Sequence, residues 1–255
     1  METHAHELHK SPSHGWKHYL FEFFMLFLAV SLGFYAENLR EEIKNKNEVN
    51  EDIKSVLADL ESDVAHLDKV LEVNTYSYTL ADSLMSLLHS DISNTPEIYD
   101  WARAITANVN YFYTNSKTFE QMKASGMLKL IRPRKLLDSL GVYYVTFQFL
   151  SEQDEIVRLK NDAVHKGNHL LFDAFVFSQM KVAYDSLNHR HTVVQPPPGH
   201  PALLATDSKT VNEVALNYYY LGAAEKFDCI AAKQQKQLAV RLIEMIKQDY
   251  HLENE

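Results

Sequence analysis

Asp162, His165, His169 and Asp173 recur at spacings of three, four and four. On a helix, that spacing gathers all four on one face. Imidazoles at i and i+4 can chelate a transition metal, and carboxylates can complete the shell. Glu155 and Arg158 continue the same face, however. Two histidines with no third helix converging on them read as the solvated side of a helix, so no metal is expected there. His189, His191 and His200 sit in a Pro-rich stretch, and His4, His6, His9, His14 and His18 in the first 18 residues. A flexible His-bearing tail holds copper, zinc or nickel only loosely. Cys229 is the single cysteine, which excludes an intrachain disulfide and a Cys-rich zinc site. Between Phe227 and Ile230 it reads as a small core residue. Tyr143, Tyr144, Tyr218, Tyr219 and Tyr220 could line a ligand pocket between helices. The favoured reading is core packing with hydroxyls reaching water.

No phosphate-cradling glycine loop, no H-E-x-x-H and no nucleophile elbow is present. The expectation is therefore a protein with no catalytic residues and no cofactor. A net charge of −9 argues against a nucleic-acid surface, because phosphate contacts need a basic face. Seven glycines and seven prolines in 255 residues leave little room for the tight turns of a sandwich or barrel. The composition points to long helices.

The elements divide sharply in character. Residues 1–18 form a short His-containing tail. Residues 19–36 read YLFEFFMLFLAVSLGFYA, with Glu22 as the one charge. Eighteen residues of helix rise roughly 27 Å, close to the hydrocarbon thickness of a bilayer. Trp16 and Tyr19 at one end and Tyr35 at the other are placed to anchor at the headgroup level. A cleaved signal peptide competes, because Ala29-Val30-Ser31 offers a small-x-small site, but the helical pattern continues through it. An uncleaved transmembrane helix is expected. On it Glu22, Met25, Ala29, Gly33 and Ala36 share a stripe, and Ala29-x-x-x-Gly33 would let another helix approach closely. Lys10 and Lys17 precede the span, and Arg40, Lys44, Lys46 and Lys54 follow it, which leaves orientation nearly balanced.

Residues 37–52 read as a polar helical stalk, and residues 53–255 as a helical bundle of about five long helices. Ile53, Leu57, Leu60, Val64, Leu67 and Leu71 predict a heptad seam that loosens at Asn74-Thr75-Tyr76. Thr95-Pro96-Glu97 predicts a helix start whose face carries Ile98, Trp101, Ala102, Ile105 and Val109. Thr118 to Gln121 matches a capping box, with Gly126 as the stop. Pro133 opens a helix carrying Leu136, Leu137, Leu140, Tyr144 and Phe147, with Met180 as its furthest end. Residues 186–207 hold four of the seven prolines and form the long loop. A final helix from about Val211 to Tyr250, capped by Asp207, Ser208 or Thr210, is expected to bury Val214, Leu221, Phe227, Ile230, Leu238, Leu242 and Ile246. The fold class is all-α.

Residues 14–42 (HGWKHYLFEFFMLFLAVSLGFYAENLREE) and 111–131 (YFYTNSKTFEQMKASGMLKLI) resemble two hallmark segments of an uncharacterised Bacteroidota family. Its members are single-pass, membrane-anchored helical proteins carrying a domain of unknown function. The resemblance brings no activity and no catalytic residues. It implies a bacterial inner membrane, with the bulk domain periplasmic. The expectation is a membrane-anchored interaction or scaffold subunit of an inner-membrane assembly. Its partners would be the lipid bilayer and another transmembrane protein or a second copy. The alternatives are a membrane-tethered sensory or ligand-binding domain and, more distantly, a His-based metal-binding protein.

Overall fold

A computed structural model describes residues 15–108, 111–184 (backbone only at 184) and 191–252. Among these residues the fold is all-α apart from one two-stranded hairpin. The chain divides into two units, Met1–Asn50 and Glu51–Glu255. Helix α1, Trp16–Ser90, contributes to both without a break.

In the first unit, every described residue from Gly15 to Lys44 is exposed, including the whole apolar window. The polar continuation carries an Arg40–Glu37 pair at 3.1 Å on the helix surface. His4, His6, His9 and His14 lie outside the described residues.

The second unit is built on three long helices: the second part of α1, α4 (Arg134–Leu171) and α6 (Ser208–Asp249). Each buries a stripe at alternating spacings of three and four. On α1 the stripe runs through Ile53, Val56, Leu60, Asp63, Leu67 and Val70 and on through Asn74, Ser77, Ala81, Leu84 and Leu88. This seam keeps Ile53, Leu60 and Leu67 of the expected one, but Val56, Asp63 and Val70 replace Leu57, Val64 and Leu71, which are half-buried. It does not loosen at Asn74, because polar residues simply continue it. Asp68–Lys236 and Glu61–Lys247 contacts, at 2.6 and 2.9 Å, fix α6 antiparallel to α1. Tyr143–Gln235 and Asn168–Tyr218 hydrogen bonds, both 2.8 Å, fix α6 antiparallel to α4 as well. Gly222 permits the α1–α6 approach: a Cβ there would stand 3.0 Å from that of Ala81.

Three short helices replace the remaining long ones that were expected. Helix α2 (Thr95–Ala107) starts one residue earlier than predicted, with Asn94 at its N-cap. It buries Ile98, Tyr99, Ala102 and Ile105, leaves Trp101 half-buried, and Val109 lies outside the described residues. Helix α3 (Lys117–Ser125) ends on Gly126 at φ 75°, the left-handed stop that its sequence predicted. No capping box forms, because the Thr118 hydroxyl donates to Asp59 instead. A 3-10 turn, Met127–Leu130, follows, and Met127 and Ile131 plug the bundle end. Helix α4 stops at Leu171 rather than Met180. Phe172 turns extended and drops into the core, and Asp173 caps α5 (Ala174–Gln179) by accepting from the Phe175 N–H. Within the stretch expected to be a loop, β2 (Thr192–Val194) pairs antiparallel with β1 (Val182–Tyr184). Asn108 clamps β2 to the end of α2, accepting from Thr192 N at 2.6 Å and donating to Thr192 O at 2.9 Å.

Helix α6 is capped by Asp207 through Thr210 N, as one of the three expected caps. Val214, Leu221, Leu242 and Ile246 are buried and Leu238 is half-buried. Phe227 and Ile230, expected inside, are more than half exposed. The α6 seam passes instead through Leu221, Glu225, Asp228, Ala232, Gln235 and Ala239. Rotating α6 to bury Phe227 would expose Leu221, Leu242 and the alanines that allow close packing.

Candidate functional site

The His-bearing face does not assemble a site. Asp162, His165 and His169 are exposed on α4, Asp162 lies 3.9 Å from Arg158, and Asp173 is occupied as the α5 cap. Among the described residues no group of three or more His, Cys, Asp or Glu converges as metal ligands would. His191 stacks on Tyr76 with ring centres 3.9 Å apart, His200 is exposed, and His189 lies outside the described residues. Cys229 is half-buried, 3.6 Å from the Thr75 hydroxyl, and burial pushes its thiol up.

Two of the tyrosines depart from the expectation in the other direction. The Tyr143 and Tyr218 hydroxyls do not reach water; they donate to Asp63 and Asn168 at 2.8 Å inside the core. Burial drives both phenols well above their usual range. Tyr144 is buried too and stacks on Phe119, whereas Tyr219 and Tyr220 are about half exposed.

Buried carboxyls carry the polar chemistry of the bundle. Asp59 and Asp63, one turn apart on α1, grip the segment before α3. Asp63 accepts from Asn115 N at 2.9 Å and from the Thr114 and Tyr143 hydroxyls. Asp59 accepts from Asn115 Nδ2 and, at 2.6 Å, from the Thr118 hydroxyl. One turn on, His66 Nε2 meets Tyr111 O at 3.0 Å while its ring stacks on Tyr113. This makes the TNSKT stretch of residues 114–118 a strap tied to α1.

The second group is less well satisfied. Asp154 on α4 and Glu225 and Asp228 on α6 are all buried in the seams. Asp154 Oδ2 accepts from Phe112 N at 2.7 Å, and Glu225 Oε1 accepts from the Ser77 hydroxyl at 2.9 Å. Asp154 Oδ1, Glu225 Oε2 and Asp228 Oδ2 have no hydrogen-bond partner among the described residues. Burial favours the neutral acids, since a charged carboxylate loses its water there. It lifts Glu225 to about 8 and Asp154 to about 6, and lifts Asp228, with the Asp154 charge adding, to about 7. Asp228 also forms part of the floor of a groove of about 280 Å³ between α4 and α6, lined by Gln153, Ile156, Val157, Ala224 and Phe227. The trio can hold protons, and Asp228 alone of the three can accept a donor that enters from the groove. Sequence reasoning passed over it, although extending each 3-4 seam through its polar members would have placed all three acids inside.

Glu22, Met25, Ala29, Gly33 and Ala36 lie on one exposed stripe of α1, and nothing stands within 4 Å of where a Gly33 Cβ would be. Trp16, Tyr19 and Tyr35 are between 63% and 71% exposed. The chain matches no protein-family profile, no curated protein and no solved structure.

Proposed function

We propose that the protein is a membrane-anchored helical interaction subunit, tethered through residues 19–36 and presenting residues 51–252 as a docking body. One observation carries the reading. Fourteen large apolar side chains from Trp16 to Tyr35 are each at least 44% exposed, on a helix long enough to cross a bilayer. A contiguous apolar surface of that size needs a cover, and lipid covers a whole helix circumference at once. The resemblance adds a bacterial inner membrane with a periplasmic body. The stripe from Glu22 to Ala36 is the partner-facing side, because Gly33 permits backbone approach and a partner helix could bond Glu22. No catalytic role is part of this reading. Alkaline carbonate extraction of native membranes tests the anchor. The full chain, including residues 19–36 by intact mass, should stay in the pellet. Release of the chain, or recovery of a form lacking those residues, would show a peripheral protein or a cleaved signal peptide instead.

A further inference from the structure

Five of the exposed apolar residues of the bundle fall at intervals of seven on α4 and α6. On α4, Val142, Phe149 and Ile156 recur every seven residues and are 45% to 58% exposed. On α6, Tyr220 and Phe227 repeat the interval and are 50% and 53% exposed. Ile156 and Phe227 line the α4/α6 groove, Val142 and Leu238 line a separate hollow with Arg134 and Lys135, and Lys160 lies 5.2 Å from the Tyr220 ring. Helix α4 therefore carries a seven-residue apolar repeat on a second face, and α6 adds two apolar residues seven apart, a surface that can receive one more helix. At mid-groove Asp228 is 2% exposed, makes no hydrogen bond among the described residues and lines the floor.

We propose that the α4/α6 groove docks an amphipathic helix of another protein that inserts a lysine or arginine against Asp228. Charge decides between occupants. The groove holds Asp228, and the acids Asp154 and Glu225 are buried in the helix seams without lining it. A second copy, related by a two-fold axis through mid-groove, would present Gln153, Ile156, Val157, Ala224, Phe227 and Asp228 again, none of them a cation. A basic side chain instead meets an acceptor that lacks a donor, lays its aliphatic stem on Ile156 and places its cation beside the Phe227 ring. A helix with an all-apolar seam would bury the Asp228 carboxyl still further without a partner, at a cost in affinity. The inference deepens the interaction-subunit reading. The anchor is read by extraction and the groove by docking, so either can fail without the other.

The test uses the full chain in phospholipid nanodiscs as bait for a displayed library of four-heptad helices. Their seams are fixed as Leu and Ile except at one central position, which carries all residues. Lysine and arginine should be enriched there at least tenfold over leucine. Asp228→Asn bait should lose that preference while still binding the leucine helices, and Ile156→Glu bait should lose both. Circular dichroism melts confirm that each bait is folded. An apolar winner at the central position, equal selection on the Asp228→Asn bait, or no binder sensitive to Ile156→Glu would each overturn the proposal. So would a parent dimer that Ile156→Glu dissociates, because a second copy would then cover the groove.

Discussion

Glu225 sits 3% exposed with one oxygen bonded to Ser77 and the other to nothing among the described residues. Its folded value of about 8 lies above the ordinary 4.5 because burial penalises the charged form. Linkage fixes the sign. Below about pH 4.5 folded and unfolded chains both hold the proton, and burying Glu225 carries no ionisation penalty. As pH rises toward 8 the unfolded chain releases that proton first, so stability falls. Glu225→Gln keeps an acceptor for Ser77 and cannot ionise. Thermal melts of the full chain should show the variant near parental stability at pH 4.5 and more stable at pH 8, by on the order of a few kcal/mol. Parallel profiles would mean that Glu225 ionises freely in the fold. Asp63 acts instead through the three donors it holds, the Thr114 and Tyr143 hydroxyls and Asn115 N. Asp63→Ala would strand Thr114, Asn115 N and Tyr143 and should cost about 3 kcal/mol or more. Asp63→Asn, which keeps one acceptor oxygen, should cost clearly less, and urea titration of both variants would show an equal loss if the strap were not held this way.

At the scale of elements, legibility followed the balance of apolar and polar residues in each seam. Helix ends were readable where one residue dictates the backbone: Gly126 closes α3 in the left-handed region, Pro133 precedes α4, and Asp207 caps α6. The seams were harder. Counting apolar residues chose Leu57, Val64 and Leu71 over Val56, Asp63 and Val70, because three hydrogen bonds to Asp63 are invisible in a hydropathy pattern. The same bias put Phe227 and Ile230 inside and left Glu225 and Asp228 unnoticed. Lone three-residue strands such as β1 and β2 carry too little alternation to announce themselves, and β2 is fixed by Asn108, a distant helix end. The first part of α1 poses a different test, since its stripe contains the glycine that large residues would block. Gly33→Leu should weaken association of the full chain in mild detergent or lipid at least several-fold, read by crosslinking or energy transfer. Phe27→Leu on another face should change it little. Equal and negligible effects would leave residues 19–36 as a tether alone.

The whole molecule joins two units that differ in what their apolar residues are packed against. Residues 51–252 bury their apolar stripes against one another, so their helices depend on tertiary packing and should be lost together. Residues 19–36 bury nothing within the described chain. In a bilayer their backbone bonds have no water to exchange with, and breaking any of them costs several kcal/mol, so the helix there does not need the bundle. Hydrogen exchange of the full chain in nanodiscs should separate the two under mild urea. Amides in the seams of α1 beyond Glu51, α4 and α6 should exchange in a common transition as the bundle opens. Amides of residues 19–36 should stay protected through it. Exchange of 19–36 in step with the seams, or faster than the seams in the absence of urea, would mean that this helix is covered by protein or by nothing, and that lipid is not its solvent.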